Sequence, residues 1–200
     1  MPLPAPLLER TPPEELGEPL RAAWERSMDL RGDGTLFEVF GQHPSLYAWY
    51  ADSFYGTLFT GGVAPRRLKE LLRLRLSSQH GCRFCNQGNR ADAEAAGIDA
   101  ARIEAVATGD RAPFDPLERA TLNLADRLAL SEPDDQLDEA LVRALRDGGL
   151  DDAQILELGM LAGLLTGMAK FLFTFDLVER EADCPFPAPP GASNDTEESR

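Results

Sequence analysis

The sequence contains little cysteine, little histidine and comparatively few basic residues. It has 3 cysteines and 2 histidines in 200 residues, too few for a dense disulfide framework or a histidine-rich metal site. Lys and Arg number 20 against 34 Asp and Glu, which gives a net charge of −14. Because nucleic-acid phosphates and anionic lipids both require a basic face on their partner, we expect neither nucleic acid nor a membrane to be a partner.

Residues that favour β-strands are also scarce. Val and Ile together occur 8 times, whereas Leu occurs 30 times, and no segment shows sustained alternation of polar and apolar residues. Helices favour Leu, Ala, Glu and Arg, while strands favour β-branched residues, so we predict an all-α fold. We assign one helical domain to residues 13–180, with an N-terminal extension at 1–12 and a Pro-rich acidic tail at 181–200 that we expect to be disordered.

No segment has the pattern of a targeting signal. The first residues lack both the basic stretch and the continuous apolar core of a signal peptide. The most apolar segment, 155–175, contains Glu157 and Lys170, and the 12 residues between them are too few to span a bilayer. We therefore expect a cytoplasmic protein, in a compartment where thiols are kept reduced.

Helix start and stop signals divide the chain into separate helices. Asp115-Pro116-Leu117-Glu118 combines a capping residue, a first-turn proline and a capping-box glutamate, and Asp151 with Gln154 repeats the capping box. Gly97 is placed to end one helix and Asp99 to begin the next. The predicted helices cover about 13–30, 35–40, 44–59, 65–78, 82–96, 99–107, 115–130, 137–147 and 151–178.

A weak internal repeat relates two of these helices. Residues 61–63 and 148–150 both read Gly-Gly followed by an aliphatic residue, at an offset of 87, and the same offset aligns Glu70 with Glu157. This pattern indicates two related helical hairpins, of which only the first carries cysteines. Chance similarity between leucine-rich helices is the alternative.

Two segments are candidate subunit interfaces. The aromatic helix at 44–59 is typical of a core or an interface. In the last helix Gly159, Gly163 and Gly167 follow one another at intervals of four, which allows another helix to approach closely, either within the core or across subunits. From both segments we expect a homo-oligomer, whether dimer, trimer or hexamer.

The motif with the clearest chemistry is Cys82-Arg83-Phe84-Cys85. Cysteines three residues apart at a helix start share one face, and the helix dipole there favours the thiolate. A thiol pair of this kind in a reducing compartment predicts redox chemistry. A zinc site would need a fourth ligand beside Cys82, Cys85 and His80. The motif is also compatible with a structural disulfide or with two inert buried thiols.

The segment 66–89 resembles the AhpD-like alkylhydroperoxidases, a family grouped with the carboxymuconolactone decarboxylases. The family pattern is a glutamate, a serine seven residues later, glycine, cysteine, two residues, cysteine, three residues and histidine. The matching positions here are Glu70, Ser77, Gly81, Cys82, Cys85 and Asn89.

The resemblance implies a thiol-dependent peroxidase. Cys85 would attack the hydroperoxide and become a sulfenic acid. Cys82 would donate a proton and then resolve the sulfenic acid as a Cys82–Cys85 disulfide. Glu70 would manage protons through water or a relay. The implied partners are a hydroperoxide substrate and an external dithiol or protein reductant, and we expect no cofactor and no metal.

The sequence departs from the family pattern at two positions. The family's histidine after the second cysteine is Asn89 here, and the histidine before that cysteine is Phe84. Since asparagine cannot carry protons near pH 7 as imidazole does, the relay is incomplete unless His80 substitutes. A carboxymuconolactone decarboxylase-like enzyme and a non-catalytic thiol sensor or oligomeric interaction protein are the alternative functions.

Overall fold

A computed structural model describes residues 3–130 and 138–186. Within these residues the chain forms helices and no β-strand, which confirms the all-α prediction. A single 3₁₀ turn precedes the first α-helix. The helices are α1 (Leu20–Arg31), α2 (Thr35–Phe40), α3 (Pro44–Ala48), a π-helix (Trp49–Gly61), α4 (Arg66–Gln79), α5 (Arg83–Ala95), α6 (Ala100–Thr108), α7 (Pro116–Ala129), α8 (Glu139–Asp147) and α9 (Asp152–Thr174).

Three of the predicted helix starts, at Asp99, Asp115 and Asp151, are confirmed by their capping contacts, whereas the first α-helix begins at Leu20 and not at residue 13. Both capping boxes form. The side chains of Asp115 and Asp151 each accept the backbone N–H three residues later, and the side chain of the glutamate or glutamine at that position accepts the backbone N–H of the capping residue. The side chain of Asp99 accepts the Arg102 N–H at the start of α6. These contacts satisfy backbone donors that a helix leaves free at its first turn.

The aromatic segment is helical as predicted, but most of it is a π-helix. In a π-helix the hydrogen bonds run from residue i to i+5, so a turn takes more residues than an α-helical turn. Tyr50, Phe54, Tyr55 and Phe59, spaced by four and five residues, therefore share one face. Their rings touch in sequence, with centroids 5.3 Å apart for Tyr50 and Phe54 and 5.4 Å apart for Tyr55 and Phe59.

Helix α4 is the centre of the fold. It contacts α5, α6, α7, α9 and the π-helix, and Leu71, Leu72 and Leu76 are almost completely buried. A second apolar cluster packs the N-terminal helices against the end of α9 and the start of α5, and it includes Cys82 and Phe84. The cysteine motif therefore belongs to this second cluster.

The repeated glycine pairs occupy equivalent turns. Gly62 and Gly149 both have positive φ angles, of 66° and 97°, and each stands shortly before a long helix. The aligned glutamates differ in their partners, however. Glu157 forms an ion pair with Lys69 and accepts the backbone N–H groups of Val63 and Ala64, so it closes the turn before α4.

Helix α9 has one buried face and one open face. Leu158 and Leu161 are fully buried, whereas Leu156 and Met160 are exposed. By length and composition alone this helix could cross a membrane. The central helix of a folded domain can have the same length and composition. A Cβ atom added at Gly159, Gly163 or Gly167 would meet nothing within 4 Å.

The glycines of α9 therefore do not serve close packing within the subunit, and that interpretation is wrong. Their open face and the exposed Trp49 of the π-helix agree with the alternative, an interface between subunits. The homo-oligomer stays a prediction, with these two surfaces as its candidate interfaces.

Both ends of the described chain pack against the helical domain. In the N-terminal extension the Ala5 N–H donates to Asp176 and the Leu7 N–H donates to the Phe175 carbonyl. Residues 181–186, which the sequence assigns to a disordered tail, contact the start of α5. The remainder of that predicted tail, 187–200, lies outside the described residues.

Candidate active site

Helices α4 and α5 run in opposite directions and bring the predicted site residues onto facing surfaces. On α4 the side chains at 70, 73, 77 and 80 follow one another at helical spacing, and on α5 the same holds for 82, 85, 89 and 92. The connecting turn contains Gly81 with a φ of +62°. Because this turn reverses the chain within three residues, His80 lies close to the cysteine motif in sequence and in space.

The two cysteines of the motif form a disulfide. The structure joins Cys82 to Cys85, and Cys82 is completely buried while Cys85 is partly exposed. Cys82 is also the N-cap residue of α5, where its sulfur accepts the Cys85 backbone N–H at 3.2 Å. A sulfur in this position is stabilised as a thiolate when the disulfide opens, because a hydrogen-bond donor and the positive end of the helix dipole face it.

The segment 179–186, which we name the C-terminal strap, pairs with the backbone of the cysteine motif. The Glu181 N–H donates to the Gly81 carbonyl at 2.8 Å, and an antiparallel bridge links Cys82 to Arg180. Glu179 also forms an ion pair with Arg83 at 3.1 Å. The strap therefore holds the first turn of α5, a contact that the sequence did not predict.

The third cysteine belongs to this strap. The thiol of Cys184 donates to the His80 carbonyl at 3.2 Å, and its Cα would lie 2.5 Å from a Cβ atom at position 81. Glycine is therefore required at 81 both by the positive φ angle and by the space that Cys184 occupies. Burial raises the pKa of the Cys184 thiol, which makes it a weaker nucleophile at neutral pH.

A small cavity of about 60 Å³ opens beside the disulfide. Five of the six predicted site residues line it: Ser77, His80, Cys82, Cys85 and Asn89. The other lining residues are Tyr50, Tyr55, Arg73, Leu76, Leu165, Met168, Ala169 and Leu172. A larger groove of about 740 Å³ between α7 and α8 contains none of the predicted site residues.

The polar wall of the cavity offers hydrogen bonds to a ligand. Ser77 donates its hydroxyl to the Leu74 carbonyl of its own helix at 3.0 Å, so its oxygen can still accept a bond. The side-chain amide of Asn89 has no hydrogen-bond partner among the described residues, although Asn89 is buried. Asn89 can therefore donate to or accept from a bound molecule, but it cannot carry a proton between them.

His80 is buried, so the structure excludes a surface role for it. Its Nε2 lies 2.9 Å from the Ala129 carbonyl, which can only accept, so Nε2 carries the proton. Nδ1 has no partner among the described residues and keeps its lone pair. Burial lowers the pKa of His80, and this outweighs the opposing effect of the Ala129 bond. At neutral pH His80 is therefore an uncharged base at the wall of the cavity.

The lowered pKa of His80 predicts a pH dependence of stability. The unfolded chain binds this proton more readily than the folded chain, so stability should fall as the pH drops below the ordinary histidine value of 6.5. The variant His80→Gln, which can still donate to Ala129, should lose less stability between pH 7.5 and pH 5 than the wild type. Urea unfolding at the two pH values measures the difference. The exposed His43 provides the control, and an equal effect of His43→Gln would contradict the assignment.

Glu70 has a different environment from the other predicted residues. It is completely buried and does not line the cavity. Arg66 Nε donates to one carboxylate oxygen at 2.8 Å, and Arg73 Nη2 donates to the other at 2.6 Å. Glu70 is therefore not a solvated surface charge. Arg73, which does line the cavity, stands between Glu70 and the polar wall.

Several lining residues were not identified from the sequence. Arg73 follows Glu70 by three residues and precedes Ser77 by four, so its helical spacing was a usable signal. Tyr50 and Tyr55 were visible only as part of an aromatic helix. Leu165, Met168 and Leu172 of α9 lie some 80 residues from the cysteines in the chain, and nothing in their local sequence connects them with this cavity.

The described residues contain no group of three or more His, Cys, Asp or Glu side chains arranged to hold a metal ion. The three zinc ligands that the sequence offers are engaged otherwise. The sulfurs of Cys82 and Cys85 bond to each other, and His80 Nε2 binds the Ala129 carbonyl.

Comparison with known proteins identifies relatives for this arrangement. The sequence profile of the carboxymuconolactone decarboxylase family matches residues 44–127, a range that includes all six predicted site residues. A comparison with curated protein sequences gives no significant match.

Similar folds occur among solved structures. A peroxidase-related protein with an alkylhydroperoxidase AhpD core from Ralstonia eutropha JMP134 is 16% identical, with a TM-score of 0.70 over 90% of this chain and 95% of that one. A peroxidase-related protein from Silicibacter sp. TM1040 is 19% identical, with a TM-score of 0.67 over 92% and 96%.

A third neighbour carries another activity. The debrominase Bmp8, solved as a cysteine-to-alanine variant with 2,3,4-tribromopyrrole, is 17% identical, with a TM-score of 0.65 over 89% of this chain and 93% of that one. At these identities the likeness establishes the fold. Residues 44–127 match the carboxymuconolactone decarboxylase family, and the chain has the AhpD-like helical fold.

Proposed function

We propose that this protein is a thiol-dependent peroxidase that reduces hydroperoxides through the Cys82–Cys85 pair. The observation that carries the proposal is the disulfide in the wall of a cavity that also contains an uncharged histidine. A cavity of about 60 Å³ accommodates a few water molecules or the head group of a hydroperoxide. The Leu and Met side chains of α9 would contact the organic part of the substrate.

Cys85 is the nucleophile in this proposal because it is the more accessible of the two sulfurs. His80 Nδ1 accepts the Cys85 thiol proton, directly or through one water, and the resulting thiolate attacks the distal oxygen of the hydroperoxide. The O–O bond breaks, the sulfur becomes a sulfenic acid, and the alkoxide takes the proton back from His80 to leave as an alcohol. His80 thus supplies the proton transfer that Asn89 cannot.

Cys82 completes the cycle as the resolving thiol. Its thiolate, held at the N-cap of α5, attacks the Cys85 sulfenic sulfur, the S–S bond forms, and the hydroxyl group leaves as water after protonation. An external dithiol or protein thiol then attacks the partly exposed Cys85, and Cys82 leaves as the thiolate. The overall reaction converts one hydroperoxide and one dithiol into an alcohol, water and a disulfide.

Trapping the sulfenic acid tests the proposal directly. The double variant Cys82→Ser/Cys184→Ser leaves Cys85 as the one thiol in the chain. After reduction and one equivalent of hydrogen peroxide, a cyclic dione should label Cys85, as peptide mass mapping would show. The matched variant Cys85→Ser/Cys184→Ser, which retains Cys82, should remain unlabelled. Label on Cys82 alone would reverse the two roles.

The alternative functions predict different results in activity assays of the same variants. A thiol sensor or an oligomeric interaction protein would show no turnover of peroxide with any dithiol. A decarboxylase would not need either sulfur, so its activity on a lactone substrate would survive in Cys85→Ser.

A further inference from the structure

Arg73 is a charged residue of the cavity that the proposed reaction does not use. It lies on α4, one turn from both Glu70 and Ser77, and its side chain is 5% exposed. Its Nε atom is buried and has no hydrogen-bond partner among the described residues. A buried donor without a partner costs free energy, and such a cost is recovered when a ligand that accepts hydrogen bonds binds there.

The guanidinium of Arg73 is held in place from several sides. Nη2 donates to Glu70 Oε2 at 2.6 Å and to Asp92 Oδ2 at 3.0 Å. The guanidinium carbon lies 4.6 Å from the ring centroid of Phe59 and 5.8 Å from that of Tyr55, both on the π-helix. Although burial opposes its charge, Tyr55, Glu70 and Asp92 raise the pKa of Arg73, so it remains a cation.

Arg73 is the one permanently charged residue among the described residues that line the cavity. His80 is uncharged at neutral pH, and Asn89 is neutral. Burial raises the pKa of Tyr50 well above its ordinary value, so this phenol is neutral as well. The other cation near the thiols, Arg83, is paired with Glu179 of the C-terminal strap and does not line the cavity.

We infer that Arg73 is the anion-stabilising residue of this cavity, where it favours the Cys85 thiolate and the oxyanion released from the hydroperoxide, and that Glu70 is a positioning residue that acts through Arg73. This inference rests on the proposed function. Thiolate formation and O–O cleavage both place negative charge in a site of low dielectric constant, where a fixed cation has a large effect. The positioning role also explains why Glu70, a buried glutamate, lies at the family's distance from the cysteines without lining the cavity.

The reactivity of Cys85 toward iodoacetamide as a function of pH tests the inference without any peroxide. In the Cys82→Ser/Cys184→Ser background, the additional substitution Arg73→Gln should raise the midpoint of alkylation by about one pH unit, which leaves about tenfold less thiolate at lower pH. It should also slow oxidation of Cys85 by hydrogen peroxide at least tenfold. Arg73→Lys, which keeps the charge, should restore part of the shift.

Arg66→Gln is the matched control. Arg66 also binds Glu70, but its side chain is 40% exposed and does not line the cavity, so the midpoint should stay within about 0.2 pH units of the background protein. If Arg73→Gln does not fold because Glu70 loses its buried cation, Arg73→Gln/Glu70→Gln removes both charges and should show the same shift.

An unchanged midpoint in the Arg73 variants, or an equal shift in Arg66→Gln, would overturn the inference. Its failure can be separated from failure of the proposed function. If no variant reacts with peroxide while the midpoint moves as expected, Arg73 controls the thiolate but the protein is not a peroxidase. If peroxide oxidation proceeds and the midpoint does not move, the peroxidase proposal stands and the assignment of Arg73 is wrong.

Discussion

Reduced Cys85→Ser protein is expected to consume no hydroperoxide above the uncatalysed background, with or without a dithiol. Serine cannot replace the sulfur, because its hydroxyl is a far weaker nucleophile at neutral pH and forms no sulfenic acid. The wild type without added reductant should consume one equivalent of hydrogen peroxide per chain and end as the Cys82–Cys85 disulfide. A peroxide electrode and a thiol titration before and after the reaction measure both quantities.

The variant Cys82→Ser separates the first step from the second. It should still consume a first equivalent of peroxide, because Cys85 and His80 remain, but it cannot form the intramolecular disulfide. Turnover with a protein reductant should therefore be lost. Cys184→Ser is the control and should behave as the wild type, because the partly buried Cys184 thiol is not part of the proposed cycle. Full activity of Cys85→Ser would refute the proposed mechanism.

The largest expected loss of stability comes from breaking the Lys69–Glu157 ion pair. Lys69 is 1% exposed, and its ammonium group donates to the carbonyls of Leu58 and Gly61, each at 2.9 Å, besides pairing with Glu157 at 2.5 Å. Lys69→Met would leave a buried carboxylate without its cation and two carbonyls without their donor. We expect a loss of about 3–5 kcal/mol in the free energy of unfolding, measured in urea or guanidinium chloride.

Two further variants make this prediction specific. Lys69→Met/Glu157→Gln should lose less than the sum of the two single substitutions, since removal of both charges leaves no unpaired ion. Arg90 and Glu104 form a comparable pair at the surface, at 3.3 Å, and Arg90→Met should cost less than about 1 kcal/mol. Equal losses for Lys69→Met and Arg90→Met would show that burial does not determine the strength of this pair.

The helices were predictable because their signals are local. The capping boxes at Asp115 and Asp151 depend on residues three positions apart, and each begins its helix where the sequence placed it. Leucine-rich composition was sufficient to predict an all-α fold. The π-helical geometry at Trp49–Gly61 was not predictable, because helix propensity and periodicity over one short aromatic segment do not distinguish it from an α-helix.

The candidate site was predictable in part. Helical spacing placed Cys82, Cys85 and Asn89 on one face and Ser77 on the opposing helix, and all four line one cavity. The environment of Glu70 was not predictable, since its burial depends on Arg66, Arg73 and the aromatic rings that the π-helix brings over them. The sequence offers His80 as a substitute for the missing histidine, but the protonation state of His80 follows from Ala129, 49 residues away.

By itself, the sequence determined the helical class, most helix boundaries and the thiol pair, because these depend on residues within a few positions of one another. Only the tertiary structure decided which charges are buried, which nitrogen of His80 carries the proton, and that α9 and the C-terminal strap enclose the cysteines. Burial and ion pairing are properties of contacts between distant segments, and a single sequence does not state which distant segments will meet.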